Sequence, residues 1–296
     1  MPTTETHSQI PLTVLVTCKN ERRNIIDCLT SAQSIANEFL IGDSGSTDGT
    51  LELLHEFMRR VPGCRLIHRE YVNSGNFKNW CIPQAKHPWV FIMDADERLD
   101  ARMVESIRRF VELNDPACDG YWARRLNYFQ GRKIRYGDWG SDRVIRLIRR
   151  DVARYREYTD HSEIELPAGR VGVLNGWLAH HSFSDFARYL QKLRHYARQQ
   201  AELWQAQGRK PSTYKLVTHG AARFLRSYLI RGGFLDGMAG YQLAIHTAYY
   251  SFLKQAELWT LHYQARQDAR VDQFVHSASA ETGPQSSDQQ GQTRAA

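Results

Sequence analysis

Along the first hundred residues, short unbroken apolar runs alternate with stretches whose apolar residues recur every three or four positions. The runs are LTVLVTC (12–18), FLIGD (39–43) and WVFIMD (89–94), each of the length and composition of a buried strand, and the more polar RLIHRE (65–70) reads as a further strand. Between them, Ile25, Ile26, Leu29 and Ala32 repeat at helical spacing within 20–32. Leu53, Leu54, Phe57, Met58 and Val61 do the same after Asp48, which is placed to cap that helix, and 76–85 reads as a third helix. The βαβα order predicts an α/β fold with a mostly parallel central sheet and helices on both faces. Ligands in such sheets gather beyond the carboxyl ends of the strands. Here those ends are polar: TCKNE at 17–21, DSGSTDGT from Asp43, and DADE from Asp94.

After a helix from Ala101, with Asp100 as its cap and its end near Leu113, the pattern changes. GYWARRLNYFQGRKIRY (120–136) reads as a hairpin turning at Gly131, and RVIRLIRR (143–150) and VLNGWLAHH (173–181) read as further strands. From Ser184 the chain turns helical, with Phe186, Tyr189, Leu190, Leu193 and Ala197 on one stripe. Between 214 and 229, Lys215, His219, Arg223 and Arg226 fall on one side of a helix and Val217, Ala221, Phe224 and Tyr228 on the other. A basic amphipathic helix beside the tyrosine-rich segment 231–253 fits a protein lying on an anionic bilayer, and equally a helix packed on the main domain with a solvated face. The expected division is a tail (1–11), an α/β domain (12–183), a helical region (184–275) and a disordered tail poor in hydrophobes (276–296).

A net charge of +7 over 296 residues favours polyanionic partners, and the absence of a recognisable nucleic-acid module argues against nucleic acid among them. Five cysteines without CxxC spacing exclude a disulfide framework or a cysteine zinc site and fit a reducing compartment. The N-terminus lacks a signal-peptide core, and the C-terminal uncharged stretch carries too many polar residues to span a bilayer, so a cytoplasmic location is expected.

The acids of FIMDADERLD are the sharpest chemical signal. In an extended backbone Asp94 and Asp96 point to the same side. At about 6 Å and an effective dielectric near 20, two carboxylates repel by about 3 kcal/mol. A proton, a lysine or arginine, or a divalent cation must offset that. A Walker B strand would need an upstream GxxxxGK[ST] loop, which this chain lacks. A DxDxT phosphatase nucleophile is excluded by Glu97 and Arg98.

TCKNERRNIIDCL, IGDSGSTDGT, GNFKNW and FIMDADERL together resemble family 2 glycosyltransferases of the GT-A fold, within them the lipopolysaccharide-core type. GDWGSDRVIRLIRR and RGGFLDGMAGYQLA extend the resemblance across roughly 12–258. It implies a nucleotide-sugar donor, most simply a UDP-sugar, held by Thr17, Asn20, Glu21, Asp43, Lys78, Asn79 and Asp94. It also implies Mg²⁺ or Mn²⁺ on the DxD acids, with Asp96 as ligand, Asp94 on metal or ribose, and His180 within reach of metal or diphosphate. An inverting transfer needs one general base. The family's His-Glu pair is here TDHSEIEL, with Glu163 one place late, so Glu163 is favoured as base, Asp160 is next, and His161 would orient it. Arg143 and Arg146 suit phosphate binding or coverage of a sheet face. The implied protein transfers glucose or a similar sugar to a lipid-linked glycan at the inner face of the plasma membrane. Rival readings are a sugar nucleotidyltransferase, which should carry a GxGxR-type loop that TCKNE is not, and a non-catalytic binding module.

Overall fold

The computed structural model describes residues 10–140, 142–156, 163–166, 170–183 and 186–281. Four parallel strands, β1 (Leu12–Cys18), β2 (Glu38–Asp43), β3 (Cys64–His68) and β4 (Trp89–Asp94), pair in the order β3-β2-β1-β4. They are joined by α1 (Ile25–Ala32), α2 (Thr50–Arg60) and α3 (Ser74–Cys81). The short β5 (Glu97–Leu99) and α4 (Ala101–Leu113) follow. Asp100 caps α4 as expected, its carboxylate accepting the Met103 N–H at 2.8 Å. In α2 the position before the first helical residue is Gly49 at φ +92°, and Asp48, one residue earlier, accepts the Thr50 N–H at 3.1 Å.

The sheet then continues with antiparallel neighbours. β6 (Cys118–Phe129) turns at Gln130-Gly131 into β7 (Arg132–Lys133), the expected hairpin, with both turn residues at positive φ. β8 (Arg143–Arg149) inserts between β4 and β6, both antiparallel to it. The two-residue β9 (Arg154–Tyr155) and β10 (Ile164–Glu165) form a separate ribbon. The run VLNGWLAHH is not one strand. It ends β11 (Arg170–Val173) and, after a turn at Gly176 with φ +106°, begins β12 (Leu178–His180). A Cβ on Gly176 would lie 2.3 Å from the Met103 nitrogen, so that turn packs against the capped start of α4.

Strand alternation sorts the core into two layers. Leu12, Val14, Val16, Phe91 and Met93 face α1, α2 and α4, while Leu15, Leu40, Val90 and Ile92 face α3, with Phe77 and Cys81. The C-terminal region is a helical layer: α5 (Phe186–Ala206), α6 (Thr213–Leu225) and α7 (Gly237–Glu281). α7 runs past the boundary expected at 275. Among the described residues no helix is long and apolar enough to cross a membrane.

Candidate active site

The carboxyl ends of β1 and β4 open into a cleft of about 1140 Å³. It is lined by Thr17, Asn20, Glu21, Asp94 and Asp96 from the strand ends, by Tyr71, Ser74 and Lys78 around α3, by Asn127 and Arg146 from the antiparallel strands, and by Arg188, Tyr189, Arg223 and Tyr250 from the helical layer. Of the residues expected at the donor, metal and base positions, Thr17, Asn20, Glu21, Lys78, Asp94, Asp96, Glu163 and His180 share this one cavity.

The acids of DADE do not share a face. After Asp94 the chain turns at Ala95-Asp96, closed by the Asp94 N–H donating to Glu97 Oε2 at 3.0 Å. Asp94 lies on the α3 side, where Lys78 Nζ is 2.7 Å from Oδ1 and Arg146 Nη2 donates to Oδ2 at 2.6 Å. Arg146 Nη2 is also 2.6 Å from Oε1 of the fully buried Glu97. Burial opposes ionisation of Asp94, but Arg146 and Lys78 outweigh it and hold its carboxyl well below the usual range. Burial likewise works against the Lys78 ammonium, and Asp94 reverses that, keeping it above its ordinary value. The negative charge of Asp94 and Glu97 is therefore offset by lysine and arginine.

A bulge puts Arg146 there. Tyr121 pairs with Leu147 and Trp122 with Ile145, which leaves Arg146 as the extra residue of β8. Val144 and Leu147 consequently pack on one layer, Ile145 and Ile148 on the other, and the guanidinium turns inward at 4% exposure.

Asp96 meets a different partner: its Oδ2 lies 3.6 Å from His180 Nε2. The other ring nitrogen, Nδ1, is 2.7 Å from Asn127 Oδ1. Asn127 Nδ2 donates to the Trp139 carbonyl at 2.9 Å and to Asp142 Oδ2 at 3.2 Å, so its oxygen must face the ring. Nδ1 therefore carries the proton, and in the neutral ring the Nε2 lone pair points toward a carboxylate. Two electron-pair donors facing each other call for a proton on Nε2 or a cation bound by both.

Among the described residues no trio of His, Cys, Asp or Glu side chains forms a metal site by itself. Asp94 already faces a cation through each oxygen, Lys78 on Oδ1 and Arg146 on Oδ2. Asp96 and His180 supply two donors, enough for a hard ion that takes its remaining ligands from phosphate and water. The outward hydrogen bond of His180 to Asn127 is the usual support for such a ligand.

The other expected positions divide. Asn20, at φ +57°, accepts the Thr47 N–H at 2.7 Å and donates its own N–H to Ser46 Oγ at 2.9 Å, tying the two βα turns together. Asp43 folds back on its own turn, accepting the N–H groups of Gly45 at 2.8 Å and Ser46 at 3.0 Å. Burial opposes its charge, and these bonds with the Ser46 hydroxyl overcome that, lowering its pKa. Asn79 exchanges hydrogen bonds with the Tyr155 backbone at 2.8 and 2.9 Å, fastening α3 to β9. Burial raises the Glu21 carboxyl, against the Asn24 amide bond at 2.8 Å, and Arg188 stands 3.9 Å away. Glu163 is exposed and lines the cleft, its carbonyl accepting the Arg156 N–H at 3.1 Å. Asp160 and His161 lie outside the described residues.

The sequence marks the DADE acids, Glu97 among them, but not Asn127, and it leaves Arg146 open between phosphate binding and coverage of a sheet face. An arginine inside an apolar strand was the available signal for Arg146. Asn127 offered none, because only the pairing of β12 beside β6 brings it opposite His180.

A curled sheet with parallel and antiparallel halves, its cleft at the strand ends and a helical layer closing it, is the architecture of the GT-A glycosyltransferases. The glycosyl transferase family 2 model matches residues 13–168, more than half of the chain, and the protein belongs to that family. It is a glycosyltransferase. The lipopolysaccharide core biosynthesis glycosyltransferase LpsC of Rhizobium meliloti (strain 1021) is 30% identical over 255 residues, 86% of this chain and 94% of LpsC. The uncharacterized glycosyltransferase RT0209 of Rickettsia typhi is 24% identical over 90% of this chain and 92% of its own length. Among solved structures, the mannosyltransferase PcManGT from Pyrobaculum calidifontis, in complex with GDP-Man and Mn²⁺, matches with a TM-score of 0.51 at 14% identity, over 86% of this chain and 88% of that one.

Proposed function

We propose that this glycosyltransferase moves glucose or a closely related sugar from a nucleotide-sugar donor, a UDP-sugar first among them, to a lipid-linked glycan of the lipopolysaccharide-core kind. Transfer inverts the anomeric carbon, depends on Mg²⁺ or Mn²⁺, and takes place at the anionic inner face of the plasma membrane. The observation that carries the reading is the Asp96–His180 pair, with its Nε2 lone pair aimed at a carboxylate on the wall of the cleft. The name of LpsC supports the acceptor class, and the GDP-Man and Mn²⁺ bound by PcManGT support a metal-held nucleotide sugar.

In this reading Asp96 and His180 would hold the ion, which would supply positive charge to the departing nucleoside diphosphate. Asp94, clamped and ionised by Lys78 and Arg146, keeps lone pairs for a ribose hydroxyl. Thr17, Asn20 and Glu21 border the nucleotide, with Asp43 and Asn79 holding the surrounding turns in shape. Glu163 takes the proton of the acceptor hydroxyl as the new bond forms, so one displacement completes the transfer.

Calorimetric titration of UDP- and GDP-sugars, with Mn²⁺ and with chelator, tests this on wild type, Asp96→Asn and Glu163→Gln. Mn²⁺-dependent binding should be lost in Asp96→Asn and kept in Glu163→Gln, whose turnover should fall by about 10²–10⁴-fold. Equal donor binding in chelator and Mn²⁺ would remove the metal from the mechanism. Near-normal turnover of Glu163→Gln would move the base to Asp160.

A further inference from the structure

The long helix α7 has two unlike faces. Tyr241, Ile245, Tyr249, Phe252, Trp259 and Tyr263 are each 40–63% exposed. Their spacings of 4, 4, 3, 7 and 4 residues, at about 100° per residue, keep them within an arc of about 80° over about 33 Å of helix. Leu243, Ala244, Leu258 and Leu261, on the opposite side, are at most 8% exposed. His246, Thr247 and Tyr250 also turn inward, and they line the cleft.

The outward stripe continues into the elbow before α7. There Leu229, Ile230, Phe234 and Leu235, with Met238 in the first turn of α7, are 48–80% exposed. The elbow is fixed to the β6–β7 hairpin, since Asp236 accepts the N–H groups of Arg135 at 3.0 Å and Tyr136 at 2.8 Å. Those bonds bring the exposed Arg135 to the elbow, with Arg132 and Lys133 exposed in the adjoining β7 and Arg226 exposed just before the elbow in sequence. At the far end, Arg270 falls on the same arc as the aromatic stripe and Arg266 about 20° beyond its edge, both exposed, whereas Glu257, Asp268 and Asp272 fall on the other side.

We infer that the outward face of α7 and the elbow 229–238 form a docking surface for an anionic lipid bilayer, with the helix lying along the membrane plane. Tyrosine and tryptophan on an apolar stripe suit the headgroup boundary, and cations at both ends match an anionic surface. A second copy of the chain fits worse, because antiparallel pairing along the stripe sets the elbow cations against Arg266 and Arg270, and parallel pairing sets each cluster against itself. Of the basic face of the 214–229 helix, Arg223 turns into the cleft, with Nε 3.0 Å from Asp138, and Arg226 borders the docking surface, while Phe224 and Tyr228 on the apolar side pack on Tyr241 at the edge of the stripe. Because α7 lines the cleft with its inner face, docking places the cleft about one helix diameter, roughly 10 Å, from the headgroups. The inference deepens the lipid-linked acceptor reading and rests on it for that last consequence alone.

Flotation of the full chain with phosphatidylcholine vesicles, alone and mixed with phosphatidylglycerol, tests the surface. Wild type should float with the anionic vesicles and not with the neutral ones. Ile245→Glu and the double variant Arg266→Glu/Arg270→Glu should each lose on the order of tenfold in partitioning, with unchanged circular dichroism and unchanged Mn²⁺-dependent UDP binding. Wild-type flotation by Ile245→Glu, or indifference of wild type to phosphatidylglycerol, would overturn it. A dimer in light scattering that Ile245→Glu splits, with vesicle binding untouched, would assign the face to a second copy. Loss of UDP binding with flotation intact would strike the donor reading and leave the surface standing.

Discussion

Arg146 reaches Asp94 and Glu97 through one nitrogen, at 2.6 Å each, from a bulged position inside the sheet. Replacing it by methionine leaves the buried Glu97 without its close cation, and breaking such a pair costs about 3–5 kcal/mol. Urea unfolding of Arg146→Met should show that loss. The titrating groups around the cleft act in opposite directions. Asp94, with its pKa depressed, contributes stability that is present above the ordinary aspartate range and lost as pH falls through its folded value. Glu21, with its pKa raised by burial, costs stability as pH rises from the ordinary glutamate range through its folded value. Glu21→Gln, which can keep the Asn24 bond, should therefore raise the denaturation midpoint at neutral pH, and the gain should vanish below about pH 4.

At the scale of elements, the turn between β11 and β12 and the start of α4 hold each other. Asp100 caps α4, its own N–H donates to the Trp177 carbonyl at 3.2 Å, and Gly176 lies against the Met103 amide. Asp100→Ala should cost about 1 kcal/mol as a lost cap. Gly176→Ala should cost more, about 2–3 kcal/mol, because the positive φ and the backbone contact both oppose a Cβ. Thermal melts of the two variants give the comparison, and a Gly176→Ala protein as stable as wild type would show that the turn can move away from α4. The dipeptide Asn175-Gly176 was visible in the sequence as a turn signal, yet VLNGWLAHH read as one strand because its flanking residues are apolar. Only the partners of those residues, β6 for both strands and β5 for β12, show where the chain reverses.

Across the molecule, Asp138 links the catalytic sheet to the helical layer. Its oxygens lie 2.6 Å from Arg231 Nη1 and 3.0 Å from Arg223 Nε, so the elbow and α6 are both fastened at the cleft. Asp138→Asn should weaken that fastening by about 1–3 kcal/mol. Steady-state kinetics should then show a raised acceptor KM with donor affinity unchanged. A variant that loses donor affinity equally would place Asp138 at the donor end.

The local sequence determined the parallel half of the sheet, the caps, the β6–β7 hairpin and the position of the cleft at the strand ends, because strand and helix periods and turn chemistry are properties of short segments. The motifs beyond them carried the family, and with it the expectation that Asp96, His180 and Glu163 belong together. What each acid does was decided in three dimensions. Asp94 is neutralised by a lysine from α3 and an arginine from β8, 16 and 52 positions away in sequence. His180 has its lone pair aimed by Asn127, 53 positions earlier. The outward stripe of α7 became a surface only when α5 and the cleft had claimed the other face and α6 had packed along its edge at Tyr241. Charge compensation and exposure are sums over neighbours in space, and a linear sequence does not state which neighbours those are.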